Sequence, residues 1–255
     1  MIDFIPLEHY SRVYYYMLAA FIGCLAIMLV RHPKAVIFHS GIHNNIVRAL
    51  GWVCVASMLL LLGLRPISYA FGDMGNYYKQ FVAYQSGEAL GAGDYLFELA
   101  MWFFARYLNA PLFFFTCFTL YIIPLVIALR KLLGVYWPLG FFLFAAHFDF
   151  YGYGVNGIRQ GIASSLFLYA LTLRPLRAWL VISVAIGIHA SLVVPAIAYA
   201  LTFVIRAPAH YFAGWSLCLI ATIASPAFGE QIMSSGLGGG RLDQYVDVGD
   251  WFLEQ

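Results

Sequence analysis

Three polar side chains fall on one turn of an otherwise apolar helix in the stretch NGIRQGIASSLFLYAL. They are Asn156, Arg159 and Gln160, at i, i+3 and i+4. A charge at membrane depth costs about 2.5–3.5 kcal/mol on insertion scales, so an arginine there is read as a functional site by default. Arginine suits phosphate because its planar fork presents paired donors. Gly152, Gly154, Gly157 and Gly161 around it let a ligand or a backbone come close. A second polar pair, His189 and Ser191, closes the next apolar run. If the turn between these two helices centres near Arg174–Arg177, Arg159 and His189 fall within about 5 Å of one depth, at about 1.5 Å rise per residue. A histidine at that level can take a proton from a hydroxyl near neutral pH. Further back, Asp73 and Glu98 flank a stretch holding Tyr77, Tyr78 and Tyr84. Carboxylates bind hydroxyls and aromatic rings stack on the apolar faces of sugars, so this combination suits carbohydrate.

These residues must be carried by a membrane. The chain is 63% hydrophobic and 10% charged, with mean hydropathy +0.81, whereas soluble domains carry about 25% charged residues. The net charge of +2 comes without a basic cluster interleaved with aromatics, so no nucleic-acid partner is expected. Cys24, Cys54, Cys117 and Cys218 stand singly in apolar runs and read as small packing residues. Neither HExxH nor a cysteine cluster is present, and GxSxG, P-loop and GxGxxG patterns are missing too. No metal, no other cofactor and no nucleotide chemistry are therefore expected.

The expected fold is all-α: a polytopic integral membrane protein of about eight spans plus one short re-entrant or interfacial helix. Spans are expected over residues 12–30, 48–64, 111–129, 136–150 and 211–228. Residues 151–156 form a turn, after which comes the helix carrying Arg159. Two short helices meeting near His189–Ser191 fill 178–205. Residues 95–108 form the short helix. The whole of 1–255 reads as one integral membrane domain. It has an extracytoplasmic loop at about 65–94, with an amphipathic helix near 76–84, and an extracytoplasmic tail at about 229–255. A chain that stops in such a tail looks cut before further spans.

Loop charges set the orientation. With 95–108 not crossing, Arg31, Lys34, Arg48, Arg130, Lys131, Arg174, Arg177 and Arg206 all lie inside. The 65–94 loop, Glu98, Arg159, His189 and the tail then share the outer face. Letting 95–108 cross would invert the bias.

At NGIRQGIASSLFLYAL, followed by a span with IHAS and Pro195, the sequence resembles the EpsG family of polytopic proteins, Wzy-type polymerases of capsular, exopolysaccharide and O-antigen repeat units. The resemblance runs from about Ile67 to Tyr245. It matches Asp73 with Tyr77 and Tyr78 in the outer loop, Glu98 at the start of an apolar helix, and Arg241 with Tyr245 in a late loop. Phe97 and Leu99 flank Glu98 where the family usually has a proline. The resemblance implies a membrane glycosyltransferase of the bacterial inner (plasma) membrane. It would move an oligosaccharide from a polyprenyl diphosphate to a second lipid-linked unit, at the extracytoplasmic face. Arg159, His189 and Glu98 would be catalytic; Asp73, Tyr77, Asn156, Gln160, Ser191, Arg241 and Tyr245 would bind substrate. Its partners would be the polyprenyl-diphosphate-linked oligosaccharide, membrane lipids, and other export and chain-length proteins. A flippase for the same lipid would show two similar halves and a mid-membrane cavity; a membrane acyltransferase would also use a histidine.

Overall fold

The computed structural model describes residues 5–31, 41–91 and 93–224, and among these every regular element is helical. One compact unit ends at His189. It contains α1 (Tyr10–Arg31), α2 (Gly41–Gly63), α3 (Met74–Gln85), α4 (Tyr95–Tyr107), α5 (Ala110–Leu133), α6 (Trp137–Ala146), α7 (Phe148–Val155), α8 (Ile158–Ala170) and α9 (Pro175–Ile188). The second unit starts at Ala190 with a 3-10 turn, followed by α10 (Val193–Val204) and α11 (Pro208–Ala224). There, the Tyr211 hydroxyl donates to the Ile205 carbonyl at 2.8 Å.

Three stretches are long and apolar enough to cross a bilayer: Leu7–Met28, Asn45–Gly63 and Ala110–Ala146. Pro175–Ile188 and Ala190–Val204 are shorter apolar helices. The loop after α2 holds a helix where one was expected, α3, entered through a 3-10 turn at Tyr69–Phe71. The short helix is also present: α4 has 13 residues, about 20 Å at helical rise, against a hydrocarbon core of about 30 Å. It buries Phe97, Glu98, Met101 and Ala105 along one seam.

Two expectations need correction. Residues 136–150 are not one continuous helix. Helix α6 stops at Ala146, and His147 is extended (φ −68°, ψ 139°). Its imidazole accepts the Asp149 N–H at 3.3 Å, which caps α7. Nor is 151–156 a loop. Helix α7 runs on to Val155, and the break falls at Asn156–Gly157. The next turn likewise comes a little earlier than expected, at 171–174, because Pro175 is already the first residue of α9, where its missing N–H costs nothing.

Helix α5 is the hub of the first unit, packing against α8, α2, α6 and α4. In lipid the hydrophobic effect does not pull helices together, so close packing and interhelical hydrogen bonds must hold them. Both are present. Buried Tyr14 of α1 donates to the Ala145 carbonyl of α6 at 2.7 Å, and Tyr121 of α5 to the Phe150 carbonyl of α7 at 3.3 Å. Gly154 and Gly161 serve this packing: a Cβ on Gly154 would meet the Phe118 ring at 2.9 Å, and one on Gly161 the Tyr153 carbonyl at 2.9 Å. The close approach that the glycines permit is thus taken by protein. Cys54 and Cys117 are buried in these helices, while Cys24 and Cys218 are exposed.

The charge bias and the shortness of α4 set a topology that reporters can read. A reporter fused after Gly87 should report an extracytoplasmic location and one after Arg174 a cytoplasmic one. The same side for both would overturn this assignment of spans.

Candidate functional site

Arg159 stands in the first turn of α8, and its position is set from below by the break before that helix. Buried Arg65, just past α2, donates to the Leu62 carbonyl and, at 3.5 Å, to the Val155 carbonyl at the end of α7. Burial pushes its guanidinium down to about 10, which still leaves it cationic at neutral pH. One residue on, Asn156 accepts the Asp73 N–H at 2.7 Å. That bond needs Gly72, which has a left-handed backbone (φ 64°) and whose Cβ would run into the Asn156 amide. Arg65 and Asn156 thus tie the α7–α8 break to the loop between α2 and α3.

The Arg159 guanidinium reaches three elements at once. It forms an ion pair with Asp94 at 3.1 Å, and its Nε–H donates to the Tyr77 hydroxyl of α3 at 3.2 Å. The guanidinium carbon lies 5.3 Å from the Tyr77 ring centre and 5.8 Å from that of Phe97. Cation–π attraction of this kind adds about 0.5–2 kcal/mol, more as the site is drier.

His189 meets the same carboxylate. Its Nδ1 lies 2.9 Å from Asp94 Oδ2, the oxygen that Arg159 also contacts. An ionised carboxylate only accepts, so Nδ1 carries the hydrogen and Nε2 of the neutral ring keeps its lone pair. Two local features bring His189 there. It is the C-cap of α9 with extended backbone (φ −153°, ψ 112°). Gly187, two residues before, lets α9 close on α4, since a Cβ there would collide with Leu96 at 2.6 Å. Asp94 lies at the N-terminus of α4 and His189 at the C-terminus of α9, so each helix dipole favours the charge type set beside it. Side-chain exposures of 17% for Arg159, 9% for Asp94 and 11% for His189 leave a route for a ligand while screening little.

Asp94 is the residue that the sequence reading missed. A GD pair just before a helix reads as a turn and an N-cap. Here Asp94 does occupy the N-cap position, yet its carboxylate makes no capping hydrogen bond and turns instead to Arg159 and His189. The matched depths of Arg159 and His189 are realised, with a carboxylate between them.

Glu98, one turn on, is 3% exposed. Its Oε2 accepts from the Tyr84 hydroxyl and the Gln80 amide, both at 2.6 Å, and the Tyr84 oxygen accepts the Gly91 N–H at 3.0 Å. Burial pushes the Tyr84 hydroxyl above the usual phenol range, and the Glu98 bond pushes the same way, so it remains a donor. This network clamps α3, α4 and Gly91, close before Asp94. Gln80 was not foreseen; its signal is that it shares an i, i+4 face with Tyr84.

The remaining candidates are placed as follows. Asn156 precedes α8 and does not share its face: Asn156, Arg159 and Gln160 take separate partners, because the chain is not helical at 156–157. Gln160 is exposed and donates to the Tyr153 hydroxyl at 3.3 Å. Asp73 is exposed at the start of α3, with Asn76 donating to its carboxylate at 3.4 Å. Ser191 is exposed in the 3-10 turn of the second unit. Arg241 and Tyr245 lie outside the described residues. A cavity of about 590 Å³ bordered by Tyr121, Leu125, Leu143, Phe150 and Ser165 belongs to α5–α8; Arg159, Asp94 and His189 do not line it.

The EpsG family model matches residues 48–250. The chain belongs to the EpsG family. That confirms the resemblance carried by NGIRQGIASSLFLYAL and IHAS. EpsG proteins are Wzy-like, polysaccharide-polymerase-type membrane proteins, so the chain is a membrane protein of polysaccharide biosynthesis. No curated protein and no solved structure is significantly similar to it. The matched range contains every residue of the Arg159–Asp94–His189 cluster.

The Glu98 network makes a prediction that separates clamping from chemistry. Glu98→Gln keeps an oxygen for Tyr84 and Gln80, so stability and activity should stay within a few-fold of wild type. Glu98→Ala strands two buried donors and should lower stability by about 2 kcal/mol. Thermal unfolding in detergent, with polymer length in cells, reads both. Full stability of Glu98→Gln with abolished polymer would make Glu98 a chemical group.

Proposed function

We propose that this EpsG protein is a polymerase acting at the extracytoplasmic face on polyprenyl-diphosphate-linked oligosaccharides, in which Arg159 binds the donor's diphosphate and His189 deprotonates the acceptor. The observation that carries this reading is the pairing of a guanidinium and an imidazole on one carboxylate in one partly closed cluster. The acceptor's sugar hydroxyl attacks the anomeric carbon of the donor. A new carbon–oxygen bond forms there as the bond to the diphosphate oxygen breaks. The acceptor's proton passes to His189 Nε2 and from there to solvent, and the electron pair leaves on the polyprenyl diphosphate. The leaving diphosphate gains charge, and Arg159 stabilises it most in the transition state, which is where binding accelerates a reaction. Tyr77 and Phe97 pack against the guanidinium and keep it at the site. Glu98 acts as a positioning residue for the turn that carries Asp94, instead of binding the acceptor. The site is served by the bacterial plasma membrane, with the lipid carrier held in its outer leaflet and the export and chain-length proteins as neighbours.

The test is Arg159→Lys, which keeps the charge and loses the paired geometry. By comparison with loss of one oxyanion donor it should cost about 3–4 kcal/mol in the transition state, a rate loss of roughly 100-fold to 1000-fold. The measurement is polymerisation of purified lipid-linked repeat units with matched amounts of protein. Near-normal activity would make Arg159 a residue of the lipid interface, where lysine serves as well.

A further inference from the structure

Arg159 and His189 do not merely sit near each other; both are held by Oδ2 of the same carboxylate, at 3.1 Å and 2.9 Å. A ligand anion arriving at Arg159 must therefore compete with Asp94 for the guanidinium. Two anions cannot both sit at full strength on one partly buried cation without repelling each other. Resting on the polymerase reading above, we propose that Asp94 is a displaceable counter-ion, through which donor diphosphate and acceptor base are coupled.

In the empty site the carboxylate divides its attraction between Arg159 and His189. Diphosphate draws Arg159 to itself, and Asp94 then turns its full attraction on the Nδ1–H of His189. The imidazolium that forms when Nε2 accepts the acceptor's proton is stabilised by that carboxylate only once donor is present. The base is thus armed by donor binding, and an acceptor alone meets an unarmed one. After transfer, the bond between anomeric carbon and diphosphate is gone and the polyprenyl diphosphate carries the electron pair. Asp94 competes again for Arg159, and its repulsion speeds release of the product.

The geometry supports a shift of this kind. Asp94 belongs to the turn before α4, it is unused as a helix cap, and its distances to both partners are ordinary contact distances. The Tyr77 and Phe97 ring centres lie 5.3 Å and 5.8 Å from the guanidinium carbon, contacts that do not depend on Asp94. This arrangement assigns opposite signs to two effects of one substitution. Asp94→Asn removes the competing charge, so diphosphate should bind more tightly. It also removes the group that fixes the His189 tautomer and stabilises its cation, so turnover should collapse. A residue with a merely structural role would weaken both.

The experiment measures binding of farnesyl diphosphate, a short isoprenoid diphosphate, to full-length protein in detergent, with farnesol as the probe lacking diphosphate. Turnover on purified lipid-linked units is measured alongside. Asp94→Asn should bind farnesyl diphosphate roughly three- to tenfold more tightly, farnesol unchanged, with turnover down about 100-fold or more. Weaker or unchanged binding of farnesyl diphosphate, or equal tightening of both probes, would overturn the proposal. His189→Gln gives a second reading that does not depend on the first variant folding. It removes the imidazole's competing pull on Asp94 and strengthens the Arg159 pair, so farnesyl diphosphate should bind roughly threefold more weakly; equal or tighter binding would also overturn the proposal. The two levels of inference fail differently. Wild-type protein that binds farnesyl diphosphate through Arg159 but joins no repeat units would end the polymerase reading and leave the counter-ion standing. Normal polymerisation with weakened binding in Asp94→Asn would end the counter-ion alone.

Discussion

Burying a guanidinium, a carboxylate and an imidazole together is tolerable only if each is satisfied by the others. Removing one member of such a set costs about 3–5 kcal/mol, because the remaining charge is left without compensation. The Arg159–Asp94–His189 cluster imposes that constraint on α4, α8 and α9 at once. Several otherwise odd local features follow from it. Gly187 lets α9 approach α4, Gly72 lets the loop between α2 and α3 reach Asn156, and buried Arg65 fastens the end of α7. Glu98, Tyr84 and Gln80 pin the turn that offers Asp94. Loosen any of these and the carboxylate no longer meets both partners.

The broken helices belong to the same logic. Irregular backbone within a membrane protein survives only where protein or a water-filled cavity satisfies its polar groups. The break at Asn156–Gly157 is satisfied in this way, by the helix-terminal bond from the Asn156 N–H to the Gly152 carbonyl and by the Asn156 side chain on the Asp73 N–H. It allows α8 to start just where Arg159 must face α3 and α4. A single long helix through this region would carry its polar residues along one stripe. The break separates their directions, sending Asn156 to the loop, Arg159 to the cluster and Gln160 to Tyr153.

Much of this was legible in the sequence. Apolar run lengths gave the long helices, the polar 65–94 stretch gave the loop with its helix, and the shortness of 95–108 was readable from its length alone. The common level of Arg159 and His189 followed from helical rise counted either side of one turn. What was not legible depends on contacts made by distant segments. The single helix over 136–150 failed because His147 caps α7 with its own ring, a choice hydropathy does not see. The shared face of Asn156, Arg159 and Gln160 failed because helical periodicity was extended through a residue that precedes the helix. Asp94 was hidden by a conflict between a local and a distant use of one side chain. Its place before a helix advertises a cap, and only the arrival of α8 and α9 turns it into the centre of the site.

The central claim is that donor diphosphate binds at Arg159 and takes it from Asp94. A structure of the protein in a lipid nanodisc with a polyprenyl diphosphate bound tests that most directly. The account predicts diphosphate oxygens within hydrogen-bond distance of the Arg159 guanidinium, the Arg159–Asp94 contact lengthened beyond ion-pair range, and Asp94 still on His189 Nδ1. Diphosphate held elsewhere, with the Arg159–Asp94 contact intact, would contradict it.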